Sequence, residues 1–458
     1  MFRRPSVIPG AVSGSARPRT CSAHPTPREP GCNNGIVKLA RPSSTVESKV
    51  GLTSRAGRGI IAAGVLGSAL AYMSDDMLNV AIPTMSNDLA VGVTEMQFVV
   101  NGYFVTMLAL MLTAGSIGDI RGHRRTFLEG LAVFCVGAVV CALAPTVAVL
   151  VVGRAVQGVG AAFLLASGLA LVNGSFADDE RGRAVGLYMG LTAVSTAAGP
   201  VLGGLLVDVL SWRAIFLAPL VFPLAAAIVT YLRVPETPTD AERRPDARGA
   251  ALAFLTIAAF SFALIRGPAD WLATPVVAAI VVAVVGAGLF MRMQRRADDP
   301  MLALDLFRSR TFSGGNAVTL ISYLVSAGVF FFVVVHLQST LGYKPAAAGA
   351  ALMPLYVIML IGSPLAGRIA DRVGARVPMV AGLGVLAVGV WWISTIGVGS
   401  RYLTGVLPAM GVFSIGLALM GAPLTIAVLG AVGDQDQGVA SGINNTVGQL
   451  AGLLMIAV

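Results

Sequence analysis

Two adjacent acidic residues, Asp75 and Asp76, stand in an otherwise apolar segment, YMSDDMLNVAIP. A carboxyl group in apolar surroundings can take up and release a proton, because burial favours its neutral form and a nearby arginine favours its charged form. Neighbouring residues of a helix point about 100° apart, so we expect one acid to face a cavity and the other a polar group or the outer mouth. The alternative is a kinked, water-accessible helix end just before Pro83. The first interpretation predicts a site that carries protons.

A single arginine interrupts a second apolar segment, LVVGRAVQGVGAA. An arginine inside a bilayer costs about 2.5 to 3.5 kcal/mol on insertion scales, so Arg154 should face a watery cavity or an anion. Gln157 lies one turn further along the same helix face and adds hydrogen-bonding capacity. Unless Arg154 reaches the membrane surface instead, it is the expected partner of the acidic pair.

Membrane-spanning helices are needed to position these residues. The chain has 458 residues, of which 56% are hydrophobic and 12% charged, whereas about 25% are charged in ordinary soluble proteins. Glycine is abundant, at 54 residues, which suits helices that pack backbone to backbone in lipid. The composition therefore predicts an all-α polytopic membrane protein that has the lipid bilayer as its solvent.

The sequence contains thirteen apolar runs of about 20 residues, the length that crosses a bilayer core. The last run, VGQLAGLLMIAV, is clipped at Val458. We expect a basic, disordered tail over residues 1–58 and two six-helix bundles with two extra central spans. The first bundle covers residues 59–233, the inserted two-helix segment with its linkers 234–311, and an incomplete second bundle 312–458. The runs centre near residues 70, 107, 136, 160, 195, 222, 257, 283, 325, 358, 387, 416 and 449.

Arginine-rich loops alternate with loops that are poor in basic residues, and the basic loops of membrane proteins stay in the cytoplasm. This alternation predicts a multi-pass protein of the plasma or inner membrane with a cytoplasmic N-terminus. The net charge of +9 follows from this topology and from the tail, and arginines dispersed between spans argue against a nucleic-acid partner. A start codon assigned too early and an organellar transit peptide remain alternatives to disorder for the tail.

One short pattern occurs twice, as GSIGDIRGHRR and as GRIADRVGAR. Both copies fall in predicted cytoplasmic loops at matched places, as two duplicated bundles would produce. Paired glycines let helix ends approach, and the aspartate can accept hydrogen bonds from a helix N-terminus or from an arginine. We expect two cytoplasmic gate loops; a tight turn whose arginines only fix topology is the alternative. The gate residues are Gly115, Asp119, Arg121, Gly122 and Arg124 in the first copy and Gly367, Asp371, Arg372 and Gly374 in the second.

The fifth predicted span combines a proline with several glycines. Proline removes a backbone hydrogen bond and bends a helix, and glycines permit close contact with a partner helix. We therefore expect a bend at a helix interface. The residues of this bend are Gly186, Gly199, Pro200, Gly203 and Gly204.

The sequence offers little for enzymatic chemistry. It has no GxxxxGKS or GxxxxGKT loop to cradle a nucleotide, so an ATP-driven pump is excluded. The histidines His24, His123 and His336 are far apart, and no serine or cysteine nucleophile has a histidine nearby. We expect neither an enzyme nor a metal site or cofactor, and an ion gradient is the remaining energy source.

Taken together, residues 59–458 resemble the Major Facilitator Superfamily, specifically its fourteen-span drug:proton antiporter branch. Both loop copies are similar to the family pattern GxLaDRxGrk, with Ile120 where arginine is usual. The segment Leu150–Ala162 matches lxxxRxxqGxgaa in full. The fifth span matches the antiporter pattern that ends in GPxxGG, with Ser195 replacing one glycine. In the first-span pattern, lDxTxxNxALP, the family's acid falls on Ser74, and the two acids here occupy the next two places.

The resemblance implies a secondary active transporter that exports drugs or other amphipathic toxic compounds in exchange for protons by alternating access. It implies that the first-span carboxyl binds protons and cations, that Arg154 biases its protonation and that the repeated loops gate the inner side. The kinked fifth span would prevent leak. Alternatives are a related carrier of a sugar, siderophore, lipid or peptide, a truncated inactive member, or a membrane-embedded enzyme or lipid-handling scaffold.

Overall fold

The structure is a computed structural model that describes residues 50–176, 178–236, 246–296, 304–432 and 437–457. The predicted tail lies outside the described residues up to residue 49. The first helix begins at Arg55, three residues before the predicted end of the tail at residue 58. Ser54 caps this helix, and its hydroxyl accepts a hydrogen bond from the Gly57 N–H at 2.9 Å. A serine in this position satisfies one of the free N–H groups of the first turn.

Helices make up nearly all of the described chain. Among the described residues, β-pairing is restricted to one isolated bridge between Val50 and Phe176. The helices are α1 (Arg55–Asp88), α2 (Val93–Arg121), α3 (His123–Ala142), α4 (Val147–Ser175), α5 (Asp178–Ala197), α6 (Gly199–Val209), α7 (Ala214–Leu217), α8 (Val221–Arg233), α9 (Ala247–Arg266), α10 (Thr274–Gln294), α11 (Arg310–Ser339), α12 (Pro345–Ala350), α13 (Met353–Val373), α14 (Arg376–Ser394), α15 (Leu407–Leu429) and α16 (Gln437–Ala457).

The described residues contain twelve helical segments that are long and apolar enough to cross a membrane. The predicted all-α polytopic fold is therefore confirmed, with twelve such segments in place of the thirteen counted in the sequence. The thirteenth run forms α16, a helix of 21 residues. α16 carries three polar amide side chains, Asn444, Asn445 and Gln449, which interrupt its apolar run.

The two extra spans are α9 and α10, which pack against each other, while α9 also packs against α2 and α16. Arg266 at the end of α9 lies 4.0 Å from Glu95 of α2, and its guanidinium stands over the Phe98 ring. The inserted pair is thus attached to the side of α2.

Two apolar cores organise the remaining helices. One is built mainly from α1–α8, here called the N-terminal half, and the other from α11–α16, the C-terminal half. Val80 of α1 belongs to the C-terminal core, whereas Phe331 of α11 and Leu453 of α16 belong to the N-terminal core. These three helices therefore take part in the interface between the halves. The predicted domain boundaries stay predictions.

Candidate functional site

The two adjacent acids of α1 face different neighbours. Asp75 Oδ1 accepts a hydrogen bond from Arg154 Nη2 of α4 at 3.0 Å. The side chain of Arg154 is 0% exposed and that of Asp75 is 16% exposed. The structure therefore brings Asp75 and Arg154 together as an ion pair that water reaches only from the acid's side.

Arg154 is held by further partners. Its Nη1 donates to Gln157 Oε1 at 3.3 Å, and the guanidinium carbon lies 4.3 Å from the centre of the Tyr103 ring. The Tyr103 hydroxyl in turn donates to the Ala71 carbonyl of α1 at 2.9 Å, and the Cys141 thiol contacts Gln157 Oε1 at 3.6 Å. A cation over an aromatic face gains electrostatic attraction. The guanidinium is thus fixed in position beside Asp75.

Asp76 has different surroundings. Gly199 of α6 packs against it, and it lines a cavity together with Tyr72 of α1 and Gln449 of α16. Among the described residues, Asp75 has a cationic partner within salt-bridge distance and Asp76 has none. The two acids therefore differ in their environment.

One hydrogen bond joins α1 to the C-terminal half. Gln338 Nε2 of α11 donates to the Val80 carbonyl at 2.9 Å. Tyr72, Asp76 and Val80 are spaced by four residues, so they share one side of the helix. We call these three residues the bridge face of α1. Through Val80 it contacts α11 of the C-terminal half.

A cavity of about 110 Å³ lies next to the acids, and its walls include Asp75, Asp76, Tyr103, Thr196 and Gln449. A water molecule takes about 30 Å³ of liquid volume, and drug-sized ligands need about 300 to 1,000 Å³. In this conformation the cavity therefore has room for a few waters but not for a drug.

The predicted bend residues fall around the junction of α5 and α6, where one residue separates the two helices. Gly199 packs against Asp76 of α1, and Gly203 packs against Met77. Gly186 is exposed on α5 and takes no part in this contact. The glycines of α6 therefore help to set how α1, and with it the acidic pair, is placed.

α6 also contacts the C-terminal half through α12. A Cβ atom on Gly204 would lie 2.5 Å from the Cα of Ala346, closer than real Cβ contacts, so only glycine fits here. Gly349 of α12 in turn lies against the Pro200 carbonyl. Asp208 Oδ2 accepts a hydrogen bond from the Ala346 N–H at 3.0 Å. The contact between α6 and α12 thus joins the two halves on the side of the molecule where α1 ends.

The repeated loops are tight turns between helices. Gly122 joins α2 to α3 with φ of 88°, and Gly374 joins α13 to α14 with φ of 83°. Side-chain-bearing residues seldom adopt this left-handed conformation. The final glycine of the pattern therefore adopts the same backbone conformation in both copies and allows the tight turn.

Polar contacts of the first copy lie within the N-terminal half. They join Asp119 to His123 at 3.1 Å, Arg124 to Glu236 at 3.3 Å and Arg121 to Glu129 at 3.8 Å. Arg124 also donates to the Tyr231 carbonyl at 3.0 Å. These contacts tie the α2–α3 turn to the segment that follows α8. A gate role for this loop stays a prediction.

The other gate residues have fewer neighbours. A Cβ atom on Gly115 would have nothing within 4 Å, and one on Gly367 would make an ordinary contact with Ala422 of α15. Arg372 is exposed, and the side chain of Asp371 lies outside the described part of the structure. The gate role of the second loop likewise stays a prediction.

Sequence reasoning missed several residues of this site. Gly349 stands in an alanine-rich turn and has no local signal, since its partner Pro200 is distant in sequence. Tyr72, which lines the cavity, could have been found, because it lies four residues before Asp76 and therefore on the same side of α1. Asp208 lies at the end of the bend segment. An acidic residue near the membrane surface does not by itself indicate a role.

The sequence model described as Major Facilitator Superfamily matches residues 64–456. The chain belongs to this superfamily. The multidrug resistance protein Stp of Mycobacterium tuberculosis is 34% identical over 386 residues, which cover 84% of this chain and 71% of that protein. The tetracenomycin C resistance and export protein of Streptomyces glaucescens is 31% identical over 409 residues, covering 87% and 74% of the two chains.

Solved structures agree on the fold. The crystal structure of the peptide transporter POT in complex with sulfate aligns with a TM-score of 0.65 at 13% identity, and the alignment covers 89% of each chain. A bacterial homologue of the human lysosomal transporter Spinster aligns with a TM-score of 0.62 at 14% identity, over 89% of this chain and 82% of that one. The superfamily member described here is thus a multi-pass membrane transporter of small molecules, not an enzyme. Its resistance and export relatives confirm the resemblance to the drug exporter branch.

Proposed function

We propose that this chain exports drugs or other amphipathic toxic compounds in exchange for protons by alternating access. The proposal rests on one observation, the buried ion pair of Asp75 and Arg154. This pair lies beside a cavity whose walls include both Asp75 and Asp76. An ionisable residue inside a membrane span is costly and marks a substrate or proton pathway. The names of the relatives, which concern drug resistance and export, support this choice of cargo.

The charges suggest how a proton drives the cycle. When Asp75 is ionised, it balances Arg154, and the pair is held without a net charge. When Asp75 takes a proton, the guanidinium keeps only neutral partners, Gln157 and Tyr103. A buried charge without a counterion is strongly destabilising. Protonation would therefore favour a rearrangement of the halves that gives Arg154 water or another anion.

The setting proposed for this activity is the plasma or inner membrane, with the N-terminus in the cytoplasm. The support is the alternation of basic and non-basic loops, since basic loops are retained inside. In this orientation the α2–α3 turn with Arg121 and Arg124 faces the cytoplasm. The α6–α12 contact would then close the outer side.

Ethidium export from membrane vesicles under an imposed pH gradient tests the proposal. The variant is Asp75→Asn, which keeps the size of the side chain and removes its charge and its titration. The matched control is Asp88→Asn, because Asp88 is also an acid of α1 and pairs with Arg213 at 3.0 Å, but on the surface. Each protein is compared at equal amount in the membrane.

We expect Asp75→Asn to lose gradient-driven export by at least about a hundredfold, the lower end of the contribution of a positioned proton-transfer group, and Asp88→Asn to keep it. Export by Asp75→Asn at the parent rate would refute the coupling role of the ion pair. A parent that exports no dye but moves a sugar, siderophore, lipid or peptide would favour a related carrier of that cargo.

A further inference from the structure

Tyr103 of α2 touches both sides of the ion pair. Its ring lies beside the guanidinium of Arg154, with 4.3 Å between the guanidinium carbon and the ring centre. Its hydroxyl donates to the Ala71 carbonyl of α1 at 2.9 Å. A carbonyl inside an α-helix also accepts the N–H of the residue four positions later, which on α1 is Asp75. One side chain thus connects the guanidinium to the backbone that carries the carboxylate.

Close contact between α2 and α4 places Tyr103. Three residues after it, Thr106 Oγ1 donates to the Ala155 carbonyl of α4 at 2.8 Å. A Cβ atom on Gly158 of α4 would collide with the Tyr103 carbonyl, so the two backbones touch here. Tyr103 itself is 2% exposed. Tyr103 and Arg154 therefore lie on two helices that their packing holds together.

At the level of the acids, two side-chain bonds connect α1 to these two helices. One runs from Arg154 to Asp75 and the other from Tyr103 to the Ala71 carbonyl. The first depends on the charge of Asp75, whereas the second does not, because its acceptor belongs to the backbone. When Asp75 takes a proton, the attraction between the charges is lost. The Tyr103 hydroxyl then still holds α1 within reach of the guanidinium.

We propose that Tyr103 is a positioning residue of proton coupling, which fixes the spacing between α1 and Arg154 so that Asp75 returns to the guanidinium in each cycle. The hydroxyl holds the helix, and the ring gives the guanidinium a neutral neighbour with a favourable electrostatic face. Tyr103 neither takes up nor releases the proton itself. The inference rests on the proposed function, because it is that function which assigns the proton to Asp75.

A second buried tyrosine provides the matched control. The Tyr188 hydroxyl of α5 lies 2.6 Å from the Ser68 hydroxyl of α1, two turns before Asp75. Tyr103→Phe and Tyr188→Phe therefore each remove one hydroxyl that bonds to α1 within the N-terminal half. Only Tyr103→Phe removes a hydroxyl beside the ion pair. Both changes keep the aromatic ring, so neither leaves a large cavity.

Thermal unfolding in detergent, at one fixed scan rate, tests the positioning role without any transport. Tyr103→Phe is compared in the parent and in Asp75→Asn, which has no charged pair. In the parent the change removes a hydrogen bond and loosens the ion pair, whereas in Asp75→Asn it removes only the hydrogen bond. We therefore expect the decrease in Tm to be about 1 to 2 °C smaller in Asp75→Asn. Tyr188→Phe should lower Tm equally in both.

Export kinetics separate positioning from contact with cargo, since Tyr103 also lines the cavity. Ethidium export is measured at equal amounts of protein in the membrane. The maximal rate of Tyr103→Phe should fall about threefold to tenfold, as the loss of one hydrogen bond allows. Its KM should stay within about twofold of the parent value. Tyr188→Phe should keep both quantities within about twofold.

Two results would overturn the proposal. Equal decreases in Tm for Tyr103→Phe in both backgrounds would mean that the hydroxyl only links two helices. A raised KM with an unchanged maximal rate would assign Tyr103 to the binding of cargo instead. A parent that exports no dye would refute drug export, and the comparison of Tm values would still decide whether Tyr103 positions the ion pair.

Discussion

Removal of Asp75 should destabilise the protein, because the buried charge of Arg154 then has no counterion. In Asp75→Ala, the fully buried guanidinium of Arg154 loses its counterion but keeps Gln157 and Tyr103. Breaking a buried ion pair from one side costs about 3 to 5 kcal/mol. Because Asp75 is 16% exposed, water can enter and partly solvate the guanidinium. We therefore expect the lower end, about 3 kcal/mol.

The opposite change should cost less. In Arg154→Met, the remaining acid borders the cavity and can take up a proton, so we expect a loss of about 1 kcal/mol. The double variant removes both charges and should lose about 2 kcal/mol, against about 4 for the sum of the single changes. The resulting coupling energy, about 2 kcal/mol, measures the ion pair itself.

Thermal unfolding of the purified protein in detergent, at one fixed scan rate, provides the measurement. A loss of 3 kcal/mol corresponds to a decrease in Tm of about 3 to 6 °C for a chain of this size. The control is Asp88→Ala, which removes the exposed pair with Arg213 and should cost no more than about 1 kcal/mol. An Asp75→Ala Tm within 1 °C of the parent, or a double variant that falls by the full sum, would refute this reasoning.

Three further predictions concern the contacts around the site. Gly204→Leu should prevent α6 from meeting α12, because a Cβ at this position would lie 2.5 Å from the Cα of Ala346; a Thr196→Cys reporter in the cavity wall should then react faster with a membrane-impermeant thiol reagent applied from the side where α1 ends, and parent-like labelling would contradict this. Asp208→Ala should lower stability by about 0.5 to 2 kcal/mol, since the Ala346 N–H of α12 loses its acceptor; an unchanged Tm would show that water replaces the acid. Gly122→Ala, at φ of 88°, should cost about 1 to 2 kcal/mol, whereas Gly115→Ala, which meets no neighbour and lies inside α2, should not lower Tm.

The helical membrane fold could be predicted from the sequence because it depends on local quantities. Runs of about 20 apolar residues and the distribution of arginines identify spans one at a time. Local quantities were less informative about the role of the polar residues in α16. Asn444 gives this helix polarity, and the sequence left open whether it binds a ligand or joins helices. In the structure it donates to Asn316 at 3.2 Å and to Thr319 at 2.7 Å, both on α11, so it joins helices.

The candidate site could be predicted only in part, because the rotation of α1 about its axis decides which of the two acids meets Arg154. The isolated charges pointed to Arg154 as the partner of the pair, but not to the acid that it meets. That choice is made by packing, with Gly199 of α6 lying against Asp76.

The bridge face also has a consequence for how the chain is made. α1 is synthesised first, but Gln338, which bonds to Val80, follows 258 residues later. At about 5 to 20 residues per second, α1 waits roughly 13 to 50 s for this partner. During that time Tyr72 and Asp76 have to be shielded from lipid by water, by the insertion machinery or by a chaperone. A ribosome that stalls in the inserted segment would release a chain that lacks α11. In this chain the bridge face with Asp76 stays uncovered, and a membrane protease would recognise it.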